Sequence, residues 1–215
     1  MNISIIIPQV FYDFIARILP GVFFSILALL SFPEWTGYLS PLALSEKTSF
    51  MQSLGQGVLY AALCYFLGWL FFAFSPGTMR DESRRKYQND GDSKSLNAMY
   101  QWIRLSHPPA GFRIVKLRAE ARMFQATRTG MIVIVVLAVA YVTGLLLFLS
   151  PPPWPPDRVF WMRPSLGVLI AIISFLGFRK CEAKAWNYYW SNVRTVYDLL
   201  HDTADPVNRF AASRK

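Results

Sequence analysis

The residues that most often carry chemistry are scarce in this chain of 215 residues. Histidine occurs only at His107 and His201, and cysteine only at Cys64 and Cys181. A zinc site needs three or four converging ligands, and these four residues show no metal-ligand spacing. His107 also stands beside two prolines in a turn pattern, and Cys64 lies inside a hydrophobic block. We therefore expect no metal site, no cofactor and no disulfide framework.

One pair of residues suggests a nuclease. Arg104 and His107 are both compatible with phosphodiester chemistry, but they stand too close together for the arginine–histidine motif of HEPN-type nucleases. The chain also contains no phosphate-binding loop, no G-x-S-x-G elbow and no H-E-x-x-H helix motif. We expect no catalytic residues and no enzyme activity.

Much of the chain consists of long apolar segments, and these segments determine where the few histidine and cysteine residues lie. The chain is 53% hydrophobic and 16% charged, whereas soluble domains average about 25% charged residues. The apolar residues are concentrated in blocks long enough for helices that cross a bilayer. The sequence therefore predicts an all-α membrane protein with four transmembrane helices, at about 11–32, 54–74, 129–149 and 159–178.

The distribution of basic residues predicts how these helices are oriented. Nineteen of the 22 Lys and Arg residues lie near the start of span one, between spans two and three, or after span four. Basic residues remain on the cytoplasmic side of a membrane. We expect both termini to be cytoplasmic, with a cytoplasmic helical hairpin at 75–128 and a cytoplasmic C-terminal helix in the tail at 179–215. The remaining regions are 1–74, with spans one and two, and 129–178, with spans three and four.

The hairpin is predicted to contain a helix from Lys94 to Leu105, capped by Ser93. Its last helix is predicted to start near Phe112 and to run into span three. Three uses fit the basic residues of that last helix: binding anionic lipid headgroups, fixing the topology, or receiving an acidic partner or a phosphate ligand. Direct binding of nucleic acid is not expected. The residues are Arg113, Lys116, Arg118, Arg122 and Arg128, and Arg118 and Arg122 share one face.

The tail helix carries a broad aromatic face, which either packs on the hairpin or docks another subunit. Its leading residues are Trp186, Tyr189, Trp190 and Tyr197. Within the spans, Pro20 predicts a kink in helix one. Small side chains on span two predict a close approach of another helix, within the monomer or in an oligomer. These are Gly57, Ala61, Cys64 and Gly68.

The layout resembles a known class. The stretch "YDFIARILPGVFF", the basic segment "KLRAEARMF" and the following two spans and helical tail are similar to small bacterial four-span membrane proteins of anti-phage defence islands. This class includes the membrane subunit of the Kiwa system and membrane accessory proteins of Cas13b-type CRISPR loci. The resemblance implies a multi-pass subunit of the bacterial inner membrane that senses or acts together with a cytosolic partner protein.

Two functions follow from these expectations. The first is a non-enzymatic, homo-oligomeric membrane sensor, anchor or effector that recruits a cytosolic protein. The second is an oligomeric ion-conducting pore that depolarises the membrane, lined by residues such as Ser25, Thr143 or Ser174. Coupled transport is disfavoured, because no charged residue lies deep in a predicted span.

Overall fold

A computed structural model describes residues 3–32, 50–88, 95–148 and 158–212 of the chain, with side chains described for 10–32, 54–88, 95–143, 162 and 164–201. The described residues form α-helices, which agrees with the predicted all-α class. The helices are α1 Ile3–Ser31, α2 Phe50–Ala73, α3 Thr78–Tyr87, α4 Leu96–Ser106, α5 Pro108–Phe148 and α6 Arg158–Ala212.

Three of these helices are long and apolar enough to cross a membrane. The segments that meet this description among the described residues are Val10–Ser31, Leu54–Ala73 and Pro108–Thr143. They correspond to the first three predicted spans. A helix satisfies all of its backbone hydrogen bonds internally, which is the condition for lying in hydrocarbon. The chain is therefore compatible with a multi-pass membrane protein.

The predicted fourth span is part of α6. That helix is 55 residues long, and it continues without a break from residue 158 through the predicted tail. Part of the predicted span lies outside the residues whose side chains are described. The segments between predicted spans one and two, 33–53, and between spans three and four, 150–158, lie almost entirely outside the described residues.

The helix starts around the short polar helices differ from the predicted ones. Ser95, and not Ser93, caps α4: its hydroxyl accepts a hydrogen bond of 3.3 Å from the backbone N–H of Ala98. Ser93 itself lies outside the described residues. Helix α5 begins at Pro108, four residues before the predicted start. Proline suits the first helical position, because the N–H group that it lacks would have no partner there.

The chain divides into two units, each with its own hydrophobic core. The first, here called the aromatic-core unit, contains α3, α4, α5 as far as Ala121 and α6 from Cys181. The second, here called the apolar unit, contains Phe14–Ser75 and Arg122–Lys180. The structure thus groups 122–128, which the sequence placed in the hairpin, with the apolar unit.

Pro20 lies within α1, which is continuous from Ile3 to Ser31, and its side chain is fully buried. The predicted kink at this position stays a prediction.

Candidate functional site

The centre of the aromatic-core unit is a cluster of rings from α4 and α6. The ring centroids of Tyr189 and Trp190 are 4.5 Å apart, and those of Trp186 and Tyr189 are 5.6 Å apart in an edge-on arrangement. Tyr100 of α4 lies 6.3 Å from Tyr189. Aromatic pairs prefer such edge-to-face and offset arrangements. The edges of these rings face other rings and aliphatic side chains.

The four aromatic residues singled out in the tail are buried in this core. Trp186 is 2% exposed and Trp190 is 3% exposed, and Tyr189 and Tyr197 are also buried. Of the two predicted uses, packing within the chain is the one that this burial supports. The surrounding core comes from α4 and α5, through Leu96, Met99, Ile103, Ile114, Val115 and Ala121. A partner that approaches this unit therefore meets other side chains first.

The two indole N–H groups of this core have no acceptor among the described residues. A buried donor without a partner costs about 1–3 kcal/mol. Trp186 and Trp190 therefore stabilise the unit through their ring surface and not through hydrogen bonds.

Five basic residues on α5, here called the basic cluster, were singled out from the sequence: Arg113, Lys116, Arg118, Arg122 and Arg128. The first two are exposed. Arg113 and Lys116 lie on the same side of α5, three residues apart, and both are exposed. A guanidinium nitrogen of Arg113 donates a hydrogen bond of 3.3 Å to the hydroxyl of Tyr188 on α6. Lys116 forms an i,i+4 ion pair with Glu120 at 3.9 Å. We call Arg113, Lys116 and Tyr188 the basic edge of the aromatic-core unit.

The basic edge contains a tyrosine whose pKa is shifted. The hydrogen bond from Arg113, followed by one from Asn192, lowers the pKa of the Tyr188 hydroxyl below its ordinary value. Tyr188 is 51% exposed, although its neighbour Tyr189 is buried. Tyr188 is not among the residues that the sequence pattern singled out. The available signal was its position about 100° around the helix from Tyr189, away from the predicted apolar face.

The next two arginines are placed against rings. The Arg118 guanidinium lies 5.2 Å from the centroid of Tyr100, within the aromatic-core unit. The Arg122 guanidinium lies 5.2 Å from the centroid of Phe72, within the apolar unit. A cation over an aromatic face is attracted by the ring quadrupole. The sequence predicted one shared face for Arg118 and Arg122, but each of these side chains is partly buried on a different ring.

Arg128, the last member of the cluster, is 5% exposed. It lies in a buried polar stretch with Gln125, Thr127 and Thr129. The two threonine hydroxyls donate to the carbonyls of Met123 and Gln125, four residues earlier, at 2.8 and 3.2 Å. These local bonds allow polar side chains to lie inside an apolar unit.

A second polar contact joins α3 to α6. Arg194 donates a hydrogen bond of 2.7 Å to the carbonyl of Tyr87, at the end of α3, and forms an ion pair with Asp198 at 3.7 Å. The next residue, Gln88, accepts a bond of 3.2 Å from the backbone N–H of Leu96, at the start of α4. Neither contact was predicted from the sequence; the first joins residues 107 positions apart, and the second joins residues eight positions apart.

The small residues of α2 divide into two groups. A Cβ atom added at Gly68 would overlap the carbonyl oxygen of Arg17 in α1, and one added at Gly21 of α1 would overlap that of Cys64. Gly57, by contrast, faces open space among the described residues, and Ala61 is partly exposed. The predicted close approach is thus made by Gly68 and Cys64, against α1.

The crossing of α1 and α2 also carries a polar contact. Arg17 donates a hydrogen bond of 2.5 Å to the hydroxyl of Tyr65, and its guanidinium lies 5.3 Å from the centroid of the same ring. Phe14 packs on this ring as well, at 5.5 Å. The arginine near the start of the first apolar helix is therefore held by a neighbouring helix.

Each of the two histidines lies beside an aromatic ring. His107 lies 5.6 Å from the ring of Trp102, and His201 lies 5.5 Å from the ring of Tyr197. Cys64 is buried and Cys181 is exposed. Across the described residues, no group of three or more His, Cys, Asp or Glu side chains is placed to hold a metal ion.

A scan against protein-family models, a search of curated proteins and a search of solved structures each find no match to this chain.

Proposed function

We propose that this protein is a non-enzymatic subunit of the bacterial inner membrane with four spans, in which the aromatic-core unit and both termini are cytoplasmic. Three apolar helices support the membrane location. The placement of nineteen of the 22 basic residues on one side of the predicted spans supports the orientation. The fourth span is the part of α6 at 159–178.

In this proposal the subunit recruits an acidic cytosolic protein through the basic edge. The supporting observation is that Arg113 and Lys116 remain exposed on a packed core, whereas Arg118 and Arg122 lie on rings and Arg128 is buried. Exposed charges that surround a binding surface steer a partner of opposite sign. The resemblance to membrane proteins of anti-phage defence islands suggests the system, and the spans would assemble as a homo-oligomer.

The test is co-purification from native membranes. A double variant, Arg113→Glu with Lys116→Glu, reverses the charge of the basic edge without removing any buried side chain. We expect it to insert normally and to lose the cytosolic partner that the wild-type protein recovers. Arg85→Glu with Lys86→Glu is the matched control, because both residues are exposed basic residues on α3.

Equal recovery of the partner by the wild type and the basic-edge variant would refute recruitment through this surface. If the variant instead retains the partner but releases anionic vesicles, the basic edge binds lipid headgroups.

The second candidate is an oligomeric pore that depolarises the membrane. The observation in its favour is the exposed hydroxyl side chain of Thr143 on α5. Ser25, another residue suggested for a pore lining, lies 4.0 Å from the sulfur of Cys64. Recording from purified protein in planar bilayers distinguishes the two functions: steady conductance supports the pore, and its absence at high protein density supports the adaptor.

A further inference from the structure

A groove runs along the contact between α5 and α6 in the apolar unit. One section, of about 370 Å³, is lined on α5 by Ala138, Val139, Val142 and Thr143 and on α6 by Pro164, Ser165 and Val168. The next section, of about 170 Å³, is lined by Met131, Ile132, Val135, Val136, Ile172 and Phe175. All side chains of the second section are apolar, and the hydroxyls of Thr143 and Ser165 lie at the far end of the first.

The length of the groove matches one leaflet of a bilayer. From Met131 to Thr143 a helix rises about 18 Å, and half of the hydrocarbon core of a bilayer is about 15 Å. The groove therefore has the length of an acyl chain that reaches from a headgroup to the midplane.

The lining of the groove suits a hydrocarbon chain. The second section is lined only by Met, Ile, Val and Phe side chains, and most of the first section is lined by apolar side chains. A flexible acyl chain makes dispersion contacts with such a lining along its whole length.

The charge at one end of the groove favours an anionic headgroup. Arg179 follows Phe175 by four residues on α6, and Arg128 precedes Ile132 by four residues on α5. Residues four apart lie on the same helix face, so both arginines continue the two walls of the groove beyond its Met131–Phe175 end. Arg179 is exposed, which leaves its guanidinium accessible to a phosphate. The opposite end carries the hydroxyls of Thr143 and Ser165.

From the length, the apolar lining and the charge at one end, we propose that this groove is a specific binding site for an anionic phospholipid. One acyl chain lies between α5 and α6, and the phosphate contacts Arg179. The inference rests on the proposed membrane location of α6, and it is independent of partner recruitment by the basic edge. It differs from the general lipid contact of a span, because the occupant is retained when bulk lipid is removed.

The test is native mass spectrometry of the full-length protein, purified in mild detergent and re-exposed to phosphatidylglycerol or phosphatidylcholine. The variant Val136→Trp with Val139→Trp fills the groove from two exposed positions on α5. We expect it to lose the retained lipid, while Ile173→Trp keeps it. Ile173 is exposed on α6 and does not line the groove.

The headgroup contact is tested separately by Arg179→Gln, which keeps the groove intact. We expect the preference for phosphatidylglycerol over phosphatidylcholine to fall about fivefold, the effect of one basic residue at a membrane surface. Lys180→Gln is the matched control, because this exposed neighbour lies about 100° further around the helix. We expect it to keep the preference.

Two results would overturn the proposal. The first is equal lipid retention by the wild type, the filled-groove variant and the Ile173→Trp control. The second is a filled-groove variant that loses oligomer mass and keeps its lipid, which would assign the groove to a second copy. If the filled-groove variant does not fold, Arg179→Gln decides alone, and an unchanged headgroup preference refutes the site. Partner co-purification is read in the same preparations and distinguishes a failure of this proposal from a failure of the adaptor function.

Discussion

The guanidinium groups of α5 show how similar residues acquire different roles. Arg113 reaches an exposed hydroxyl, Arg118 lies on Tyr100, and Arg128 is buried in the apolar unit. Arginine suits all three environments, since its planar, weakly hydrated group stacks on rings as well as forming hydrogen bonds. The position of each arginine in the sequence indicates the side of the helix on which it lies. It does not indicate which ring or hydroxyl group the side chain contacts.

Trp186 is expected to be the most important single side chain of the aromatic-core unit. Replacing it with alanine leaves a cavity in a ring cluster, and large-to-small changes of this kind cost about 3–5 kcal/mol. Tyr188→Ala, two residues later at an exposed position, is expected to cost less than about 0.5 kcal/mol. Thermal unfolding followed by circular dichroism in detergent measures both. Equal losses for the two variants would show that the ring cluster does not govern the stability of the unit.

The hydrogen bond from Arg113 to Tyr188 predicts a pKa change. Since Arg113 favours the phenolate, Arg113→Ala is expected to raise the pKa of Tyr188 towards its ordinary value. Lys116→Ala is the control, because Lys116 pairs with Glu120 instead. A pH titration of the isotope-labelled protein, followed by nuclear magnetic resonance, measures the pKa of Tyr188. An unchanged pKa in Arg113→Ala would argue that the two residues are not in contact in solution.

The sign of this effect on stability follows from linkage. A folded-state pKa below the unfolded value contributes stability that is fully present above the unfolded pKa and is lost as the pH falls through the folded pKa. The Arg113–Tyr188 contact is therefore expected to leave stability unchanged at neutral pH. It is consistent with a surface role for the basic edge.

At the scale of elements, the crossing of α1 and α2 depends on glycine. The two backbones approach so closely that a Cβ at Gly21 or Gly68 would overlap a carbonyl of the other helix. In a membrane, helix association relies on such packing, because lipid supplies no hydrophobic driving force between helices. Small residues recur along α2, but the contact with α1 requires a small side chain at Gly68 and not at Gly57.

Gly68→Leu is expected to destabilise this crossing by about 1–3 kcal/mol or more, the range for overpacked sites. Gly57→Leu on the same helix is expected to be nearly neutral, because a side chain there enters open space. Melting temperatures of the two variants in detergent provide the comparison. A larger loss for Gly57→Leu would indicate that the other face of α2 packs against a second copy.

The short helix α3 gains stability from contacts with α6 and with the start of α4. Helix α3 has only one buried residue, Ser83. Its end is held by the bond from Arg194 to the Tyr87 carbonyl, and the following Gln88 binds the start of α4. A polar helix of ten residues is marginal alone, so these contacts explain why it persists.

At the scale of the whole molecule, the proposed topology predicts which native thiol a membrane-impermeant maleimide reaches. Cys181 is exposed and follows the predicted fourth span, so inside-out vesicles are expected to label it and intact cells are not. Cys64 is buried and serves as an internal negative control. Removal of the signal by Cys181→Ser confirms the assignment.

The fourth span is tested by a cysteine at the other end of the predicted segment. In a chain with Cys181→Ser, the variant Arg158→Cys is expected to be labelled from outside intact cells. Labelling of residues 158 and 181 from the same side would contradict a crossing by α6 and would leave a protein with three spans.

The sequence by itself determined the helical class, the first three apolar helices and most of helix α4, because these follow from local periodicity and from the need to satisfy backbone groups in hydrocarbon. The tertiary structure decided which side chains remain available. Trp186 and Trp190 form a core, Arg118 and Arg122 lie on separate rings, and Gly68 but not Gly57 meets another helix. These outcomes depend on residues brought together from distant parts of the chain, and a pattern within one helix does not specify its neighbour.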